Sequence, residues 1–206
     1  MLPRVFASEK KTNSEVWLSE LVFHRGERYQ VTAESGAGKS SLCSYIYGAR
    51  TDFSGKLLFN GKDSAEFSIG DWQQIRRCNI AYLPQELMLF PELSAIDNIL
   101  LKADLTKDVG QTEIEEWLGL LGISSRRDYP AGKLSVGQQQ RVAIIRSLCQ
   151  PFDFLLLDEP VSHLDEENNR KAARLIEKQA EKYGAAIIST SVGNPLLLDN
   201  ATTVRL

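Results

Sequence analysis

The segment Ala33-Glu34-Ser35-Gly36-Ala37-Gly38-Lys39-Ser40-Ser41 constrains this chain more than any other. The run Tyr29–Ala33 leading into it reads as a strand, and Ser40–Tyr47 after it reads as a helix. A strand that turns through a glycine-rich loop into a helix is suited to holding phosphate. Gly36 and Gly38 let the backbone curl so that several N–H groups converge on one anion. The helix N-terminus adds its partial positive charge. Lys39 is placed to reach the β- and γ-phosphates of a nucleotide, and the Ser40 hydroxyl suits Mg²⁺, a hard cation that prefers oxygen. Ser35, Gly36, Ala37, Gly38, Lys39, Ser40 and Ser41 are therefore the candidate nucleotide-binding residues. Ala33 stands where the usual pattern opens with glycine, the smallest replacement available.

A second strand ends in acid. Phe154-Leu155-Leu156-Leu157 is a continuous apolar run, followed by Asp158-Glu159-Pro160. Ligands gather at the carboxyl ends of parallel strands, so Asp158 is placed to support Mg²⁺. Glu159, one residue on, is the candidate catalytic base that orients or deprotonates an attacking water. A solvated turn is the plainer reading of two acids after a strand, and the upstream phosphate loop argues against it.

The rest of the chain gives these segments a setting. Gly26-Glu27-Arg28 reads as a tight turn, and Arg4–Val31 suggests a small antiparallel sheet feeding the core. Lys56–Phe59 reads as a strand ending at the turn Asn60-Gly61, and Ile80–Leu83 as a strand stopped by Pro84. From Ser94 to Gln150 the apolar residues recur at helical spacing, as in Ile96, Ile99 and Leu100, then Ile114, Trp117, Leu118 and Leu121. Ala185–Thr190 is another buried-type strand, and Glu166–Tyr183 an amphipathic helix. This order predicts one α/β domain over 1–206, with a core at 1–85 and 151–206 and a helical insertion at about 86–150.

Charge and hydropathy narrow the setting. The net charge of −3 argues against a dedicated nucleic-acid binder, and none is expected as a partner. No apolar run approaches the roughly 18 residues that span a bilayer, and Met1–Lys11 lacks the apolar segment of a signal peptide. A cytoplasmic chain is expected, reaching any membrane through a partner. Cys43, Cys78 and Cys149 lack metal-ligand spacing and read as reduced, mostly buried thiols.

Leu134-Ser135-Val136-Gly137-Gln138 precedes a helix and lies ahead of the acidic strand. With the phosphate loop upstream and Leu157-Asp158-Glu159-Pro160 downstream, it resembles the Leu-Ser-Gly-Gly-Gln signature of the ATP-binding cassette (ABC) family. Tyr82-Leu83-Pro84-Gln85 is similar to that family's Q-loop, and Ser162-His163-Leu164-Asp165 to its D-loop. The run Gln139-Gln140-Arg141-Val142-Ala143-Ile144 is most similar to lipoprotein-releasing and macrolide-exporter cassettes. The resemblance covers almost the whole chain. It implies a P-loop NTPase fold with a RecA-like, mostly parallel sheet, a small N-terminal antiparallel β subdomain and a helical subdomain.

The resemblance also implies an ATPase that uses ATP and Mg²⁺ and powers transport through a separate transmembrane permease. The protein would then sit peripherally on the inner face of the cell membrane. Ser40, Gln85 and Asp158 would serve the metal, and Gln85 and Asp165 would couple the site to partners. Ser135, Gly137 and Gln138 would meet the γ-phosphate held by a second ABC subunit, in a homodimer or a pair with a similar cassette. As residues alone, Ser135 and its successors also fit an ordinary helix N-cap, which is compatible with that role.

Two positions depart from the family. Val136 replaces the first signature glycine and brings β-branched bulk. Ser191 stands where the family carries a switch histidine, and neither His24 nor His163 fits that position. Serine cannot carry charge to a γ-phosphate, so slow hydrolysis with ATP binding retained is expected. The alternative is a degenerate cassette acting as a regulatory subunit. An ABC protein acting on DNA or ribosomes is a third reading, disfavoured because 206 residues hold neither long coiled coils nor two cassettes. Phe6, Trp17 and Phe23 are the aromatic candidates for stacking on adenine, and none is singled out. Leu87, Met88, Leu89 and Phe90 either dock the membrane subunit or pack on the chain's own helices.

Overall fold

The computed structural model describes residues 1–4 and 14–206. Strands β1 (Leu2–Pro3) and β2 (Arg28–Thr32) precede helix α1 (Lys39–Ile46). Short strands β3 (Phe53–Ser54), β4 (Leu58–Phe59) and β5 (Lys62–Asp63) lead to α2 (Ile69–Cys78) and β6 (Ile80–Leu83). Helices α3 (Ala95–Thr106), α4 (Gln111–Leu120) and α5 (Val136–Ser147) come next, then β7 (Phe154–Asp158), α6 (Glu166–Tyr183), β8 (Ala186–Ser191) and β9 (Thr202–Arg205).

The central sheet has the order β6-β7-β8-β2-β9, and every neighbouring pair is parallel. Apolar residues on both faces explain the choice: Leu155 and Ile187 point into one core, Leu156 and Ile188 into the other. Loops leaving β6, β7, β8 and β2 all emerge at one edge, because Leu83 pairs with Leu157, Asp158 with Thr190 and Thr32 with Ser191. That register puts the phosphate loop and the acidic strand end side by side. The larger core joins β6 and β7 to α3–α6, through Ile99, Ile114, Leu118, Ile144 and Ile176.

The helices carry their own stop and start signals. Asp165 caps α6 by accepting from Asn168 N at 2.8 Å, and Gly184 ends it at φ 58°. The Asn168 backbone and side-chain N–H groups hold the Asp165 carboxyl below the usual range. Ser68 and Asp71 form a reciprocal capping box on α2.

Some expectations shift. Part of the Arg4–Val31 stretch lies outside the described residues; among the described residues β1 pairs antiparallel with β3, and β4 with β5 across the Asn60-Gly61 turn. The strand expected at Lys56–Phe59 shortens to two residues. Helix α2 and strand β9 have no counterpart among the expected elements. No helix among the described residues is long and apolar enough to cross a membrane.

Cys43 and Cys149 are buried, whereas Cys78 is only half-buried. Burial, with the Asp158 carboxylate nearby, pushes the Cys43 thiol well above its ordinary range, and burial pushes Cys149 up to about 12. Because the thiolate is the reacting species, a thiol reagent is expected to modify Cys78 quickly and the other two only on unfolding. Mass spectrometry of the native and denatured protein after alkylation checks this; rapid native labelling of Cys43 would contradict it.

Candidate nucleotide site

The phosphate loop leaves β2 and enters α1 through two left-handed glycines, Gly36 at φ 85° and Gly38 at φ 98°. Gly38 caps α1 with no side-chain hydrogen bond, so the first N–H groups of the helix remain available to an anion. Lys39 is 5% exposed; its Nζ donates to Glu34 O at 3.0 Å and lies 3.8 Å from Glu159 Oε1. Below the loop, Trp17 Nε1 donates to Ala37 O at 3.2 Å. Trp17 is 2% exposed, which removes it as an adenine-stacking surface. Phe23 packs edge-on against Tyr29, with ring centroids 4.8 Å apart. Phe6 lies outside the described residues.

The acidic strand end meets the loop from β7. Asp158 is 1% exposed, and its Oδ1 accepts from Thr190 Oγ1 at 2.6 Å. Its other oxygen, Oδ2, is buried without a hydrogen-bond partner among the described residues. A buried carboxylate oxygen left unpaired is costly, and a cation resolves that cost. Ser40 Oγ donates to Gln85 Oε1 at 3.4 Å, which brings the loop and the residue after β6 together. Three oxygen donors from Ser40, Gln85 and Asp158 fit a hard divalent ion such as Mg²⁺.

Glu159 is held in an unfavourable backbone conformation, with φ at 51° for a non-glycine residue. Its N–H donates to Thr190 O at 3.2 Å, and its carbonyl accepts from Gln140 Nε2 at 3.0 Å. Held this way, the Glu159 carboxylate comes within 3.8 Å of the Lys39 ammonium. Thr190 thus ties both acids to β8, a role the sequence did not flag. Thr190→Val keeps the shape and removes the hydroxyl, leaving both Asp158 oxygens without partners. A loss of about 1–3 kcal/mol in stability is expected from that unpaired buried group. Urea unfolding measures it, and an unchanged midpoint would contradict the role.

The Ser135–Gln138 segment starts α5. Ser135 Oγ accepts from Gln138 N at 3.3 Å while Gln138 Oε1 accepts from Ser135 N at 3.0 Å. This is the N-cap reading in full, and it leaves the helix N-terminus at the surface. Val136 begins the helix without distortion, 49% exposed. A Cβ on Gly137 would fall 2.9 Å from His163 O, so the D-loop-like segment packs against that glycine's backbone. Among the described residues, no hydrogen bond or ion pair joins Ser135–Gln138 to the phosphate loop of the same chain. Gln140 joins this helix to the acidic strand end instead.

Ser191 lies 3% exposed at the end of β8, and its Oγ accepts from Gln30 Nε2 at 3.1 Å. Its hydroxyl is thereby engaged inside the sheet. After Gln85 the chain takes two consecutive left-handed residues, Leu87 at φ 58° and Met88 at φ 50°. Arg146 of α5 holds them, donating to Leu87 O and to Met88 O, the latter at 2.7 Å. The side chains then alternate: Leu87 and Leu89 pack on the core, while Met88 and Phe90 are 64% and 54% exposed.

Residues 19–162 match the family model described as ABC transporter. The lipoprotein-releasing system ATP-binding protein LolD of Shewanella denitrificans is 33% identical over 82% of the chain and 73% of its own length. The methionine import ATP-binding protein MetN 2 of Rhodococcus jostii is 33% identical over 90% of the chain, which spans 55% of that relative. Among solved structures, the ATP-binding cassette MJ0796, dimeric and bound to ADP and Pi after hydrolysis, superposes with a TM-score of 0.73. That pair shares 25% identity over 84% of this chain and 78% of the other. The matched region runs from before the phosphate loop to beyond the acidic strand end, and on that ground the chain belongs to the ABC transporter family, as an ATP-binding cassette.

Proposed function

We propose that this chain binds and hydrolyses ATP as the energy-supplying subunit of a transporter whose membrane-spanning part is a separate permease. The observation that carries the reading is the meeting of Lys39, Ser40, Gln85, Asp158 and Glu159 at one sheet edge, with one buried Asp158 oxygen unpaired among the described residues. Backbone N–H groups of Ser35–Ser41 bind the phosphates, and Lys39 turns from Glu34 O to the β- and γ-phosphates. Mg²⁺, held by Ser40, Gln85 and Asp158, would neutralise phosphate charge. Glu159 accepts the proton of the attacking water, whose oxygen bonds to the γ-phosphorus as the bond to ADP breaks.

The site is half of a composite. Ser135, Gly137 and Gln138 of a second cassette supply the opposing helix N-terminus, which explains why those residues stand apart from the phosphate loop of their own chain. Met88 and Phe90 form the apolar contact for the permease, next to Gln85, and this would keep the chain peripheral on the inner membrane face. Asp165 holds the start of α6 and steadies the D-loop-like turn at the interface. The core at 1–85 and 151–206 carries the phosphate loop and the acidic strand end, and the segment at about 86–150 carries Ser135–Gln138, Met88 and Phe90.

The test is recovery of the tagged chain from membranes, with Met88→Glu/Phe90→Glu as comparison. Co-purification of an integral membrane protein, lost in the double variant while ATP binding persists, is expected. Recovery without any membrane protein would contradict the reading. A slow, regulatory cassette is favoured by one observation only, the engagement of Ser191 with Gln30. Single-turnover hydrolysis measured beside Glu159→Gln separates the two: a regulatory cassette would be as slow as that variant.

A further inference from the structure

Ser191 stands where the family carries a switch histidine, and its hydroxyl is engaged by Gln30. The chain has two histidines. His24 precedes β2, so it stands at the opposite sheet edge from the phosphate loop, a five-residue strand or about 16 Å away. His163 is exposed and lies against the Ser135–Gln138 cradle, since its carbonyl is the atom that a Cβ on Gly137 would strike at 2.9 Å.

We propose that His163 donates a hydrogen bond, through Nε2, to the γ-phosphate bound by the partner subunit, supplying across the interface the histidine that position 191 lacks. The inference rests on the composite-site reading, in which Gly137 faces the partner's nucleotide.

Hydrogen bonds hold both the backbone and the ring of His163. Gln140 is 2% exposed, and its Oε1 accepts from His163 N at 3.1 Å, which settles the orientation of its amide. Its Nε2 therefore donates to Glu159 O at 3.0 Å and to Ser162 Oγ at 3.1 Å. Ser162 Oγ lies 3.0 Å from His163 Nδ1, so that ring nitrogen is already engaged within the chain. In the proposed arrangement Nδ1 accepts from the Ser162 O–H, with the ring proton on Nε2 of this exposed residue. His163 forms no covalent bond. It stabilises charge on the γ-phosphate oxygens while water adds to phosphorus, Glu159 takes the proton and ADP leaves with the electrons of the broken P–O bond. Because Gln140 also holds the Glu159 carbonyl, one amide positions the base of one site and the donor to the other.

The test uses the full chain and ATP. In a Glu159→Gln background, His163→Ala is expected to raise the ATP concentration for half-maximal dimerisation at least about fivefold, the loss of one charge-assisted hydrogen bond. ADP binding by the monomer is expected to stay unchanged, which a general folding defect would not allow. With Glu159 intact, His163→Ala is expected to slow single-turnover hydrolysis roughly tenfold or more, and Ser162→Ala to have a smaller effect in the same direction. Mixed dimers locate the effect. A His163→Ala subunit paired with Lys39→Ala places an intact phosphate loop opposite an intact His163, and is expected to match wild type paired with Lys39→Ala. Dimerisation and hydrolysis both unchanged in His163→Ala would overturn the inference, as would mixed dimers no faster than the His163→Ala homodimer when the wild-type pairing is faster. Loss of the cassette reading itself would show differently, as undiminished ATP binding in Lys39→Ala.

Discussion

Glu159→Gln is expected to slow hydrolysis of bound ATP by a factor on the order of 10² or more, the usual contribution of a positioned general base. Glutamine keeps the size and hydrogen-bonding reach of the side chain but cannot take a proton at neutral pH. The backbone that aims it, at φ 51°, is held by Thr190 and Gln140 through main-chain atoms that the substitution leaves alone. Nucleotide affinity should therefore survive. Rapid-quench measurement of ADP formed from a single enzyme-bound ATP checks this, and a rate close to wild type would remove Glu159 from the chemistry.

Lys39→Ala is expected to weaken ATP binding on the order of 10–100-fold, by removing charge-assisted hydrogen bonds worth about 1.5–3 kcal/mol. The ammonium is engaged with Glu34 O and sits 3.8 Å from the Glu159 carboxylate. Those contacts offset part of the desolvation of a cation that is only 5% exposed, so the variant also leaves Glu159 without its neighbouring positive charge. Titration calorimetry with ATP and Mg²⁺ reads the affinity directly. A dissociation constant within about twofold of wild type, a shift well under about 1.4 kcal/mol, would contradict the placement of Lys39 on phosphate.

Much of this architecture is legible from residue order. Strands β6, β7 and β8 are short apolar runs closed by Pro84, by Asp158 or by the turn after Ser191, and α6 repeats its small and apolar residues at helical spacing over 18 residues. Helix α2 is not legible in that way because none of its residues is buried; what marks it is the Ser68–Asp71 capping pair. Strand β9 buries only Val204 and is defined by backbone pairing with β2, which no side-chain pattern announces. The β1–β3 pair joins Leu2 and Pro3 to Ser54 and Phe53, far along the chain and beyond the reach of local propensity.

The site divides along the same line. Lys39, Ser40, Gln85, Asp158 and Glu159 lie in short motifs whose spacing carries the chemistry. Thr190, Gln140 and Trp17 act by bonding to atoms of other segments: an Asp158 oxygen, the Glu159 carbonyl and the Ala37 carbonyl. Any residue type is a weak clue to such a contact until the sheet register places the partners together. Ser191 is the reverse case: the missing histidine is visible in the sequence, and its hydroxyl's engagement with Gln30 is not.

We propose that each ATP is held between two subunits, by the phosphate loop of one and the Ser135–Gln138 helix N-terminus of the other. Sedimentation velocity of Glu159→Gln, with and without ATP, tests it most directly. A monomer that becomes a dimer with ATP but not with ADP is expected, and a Ser135→Arg companion that binds ATP yet stays monomeric. A chain that remains monomeric at saturating ATP, or a Ser135→Arg variant that dimerises as readily as its parent, would contradict it.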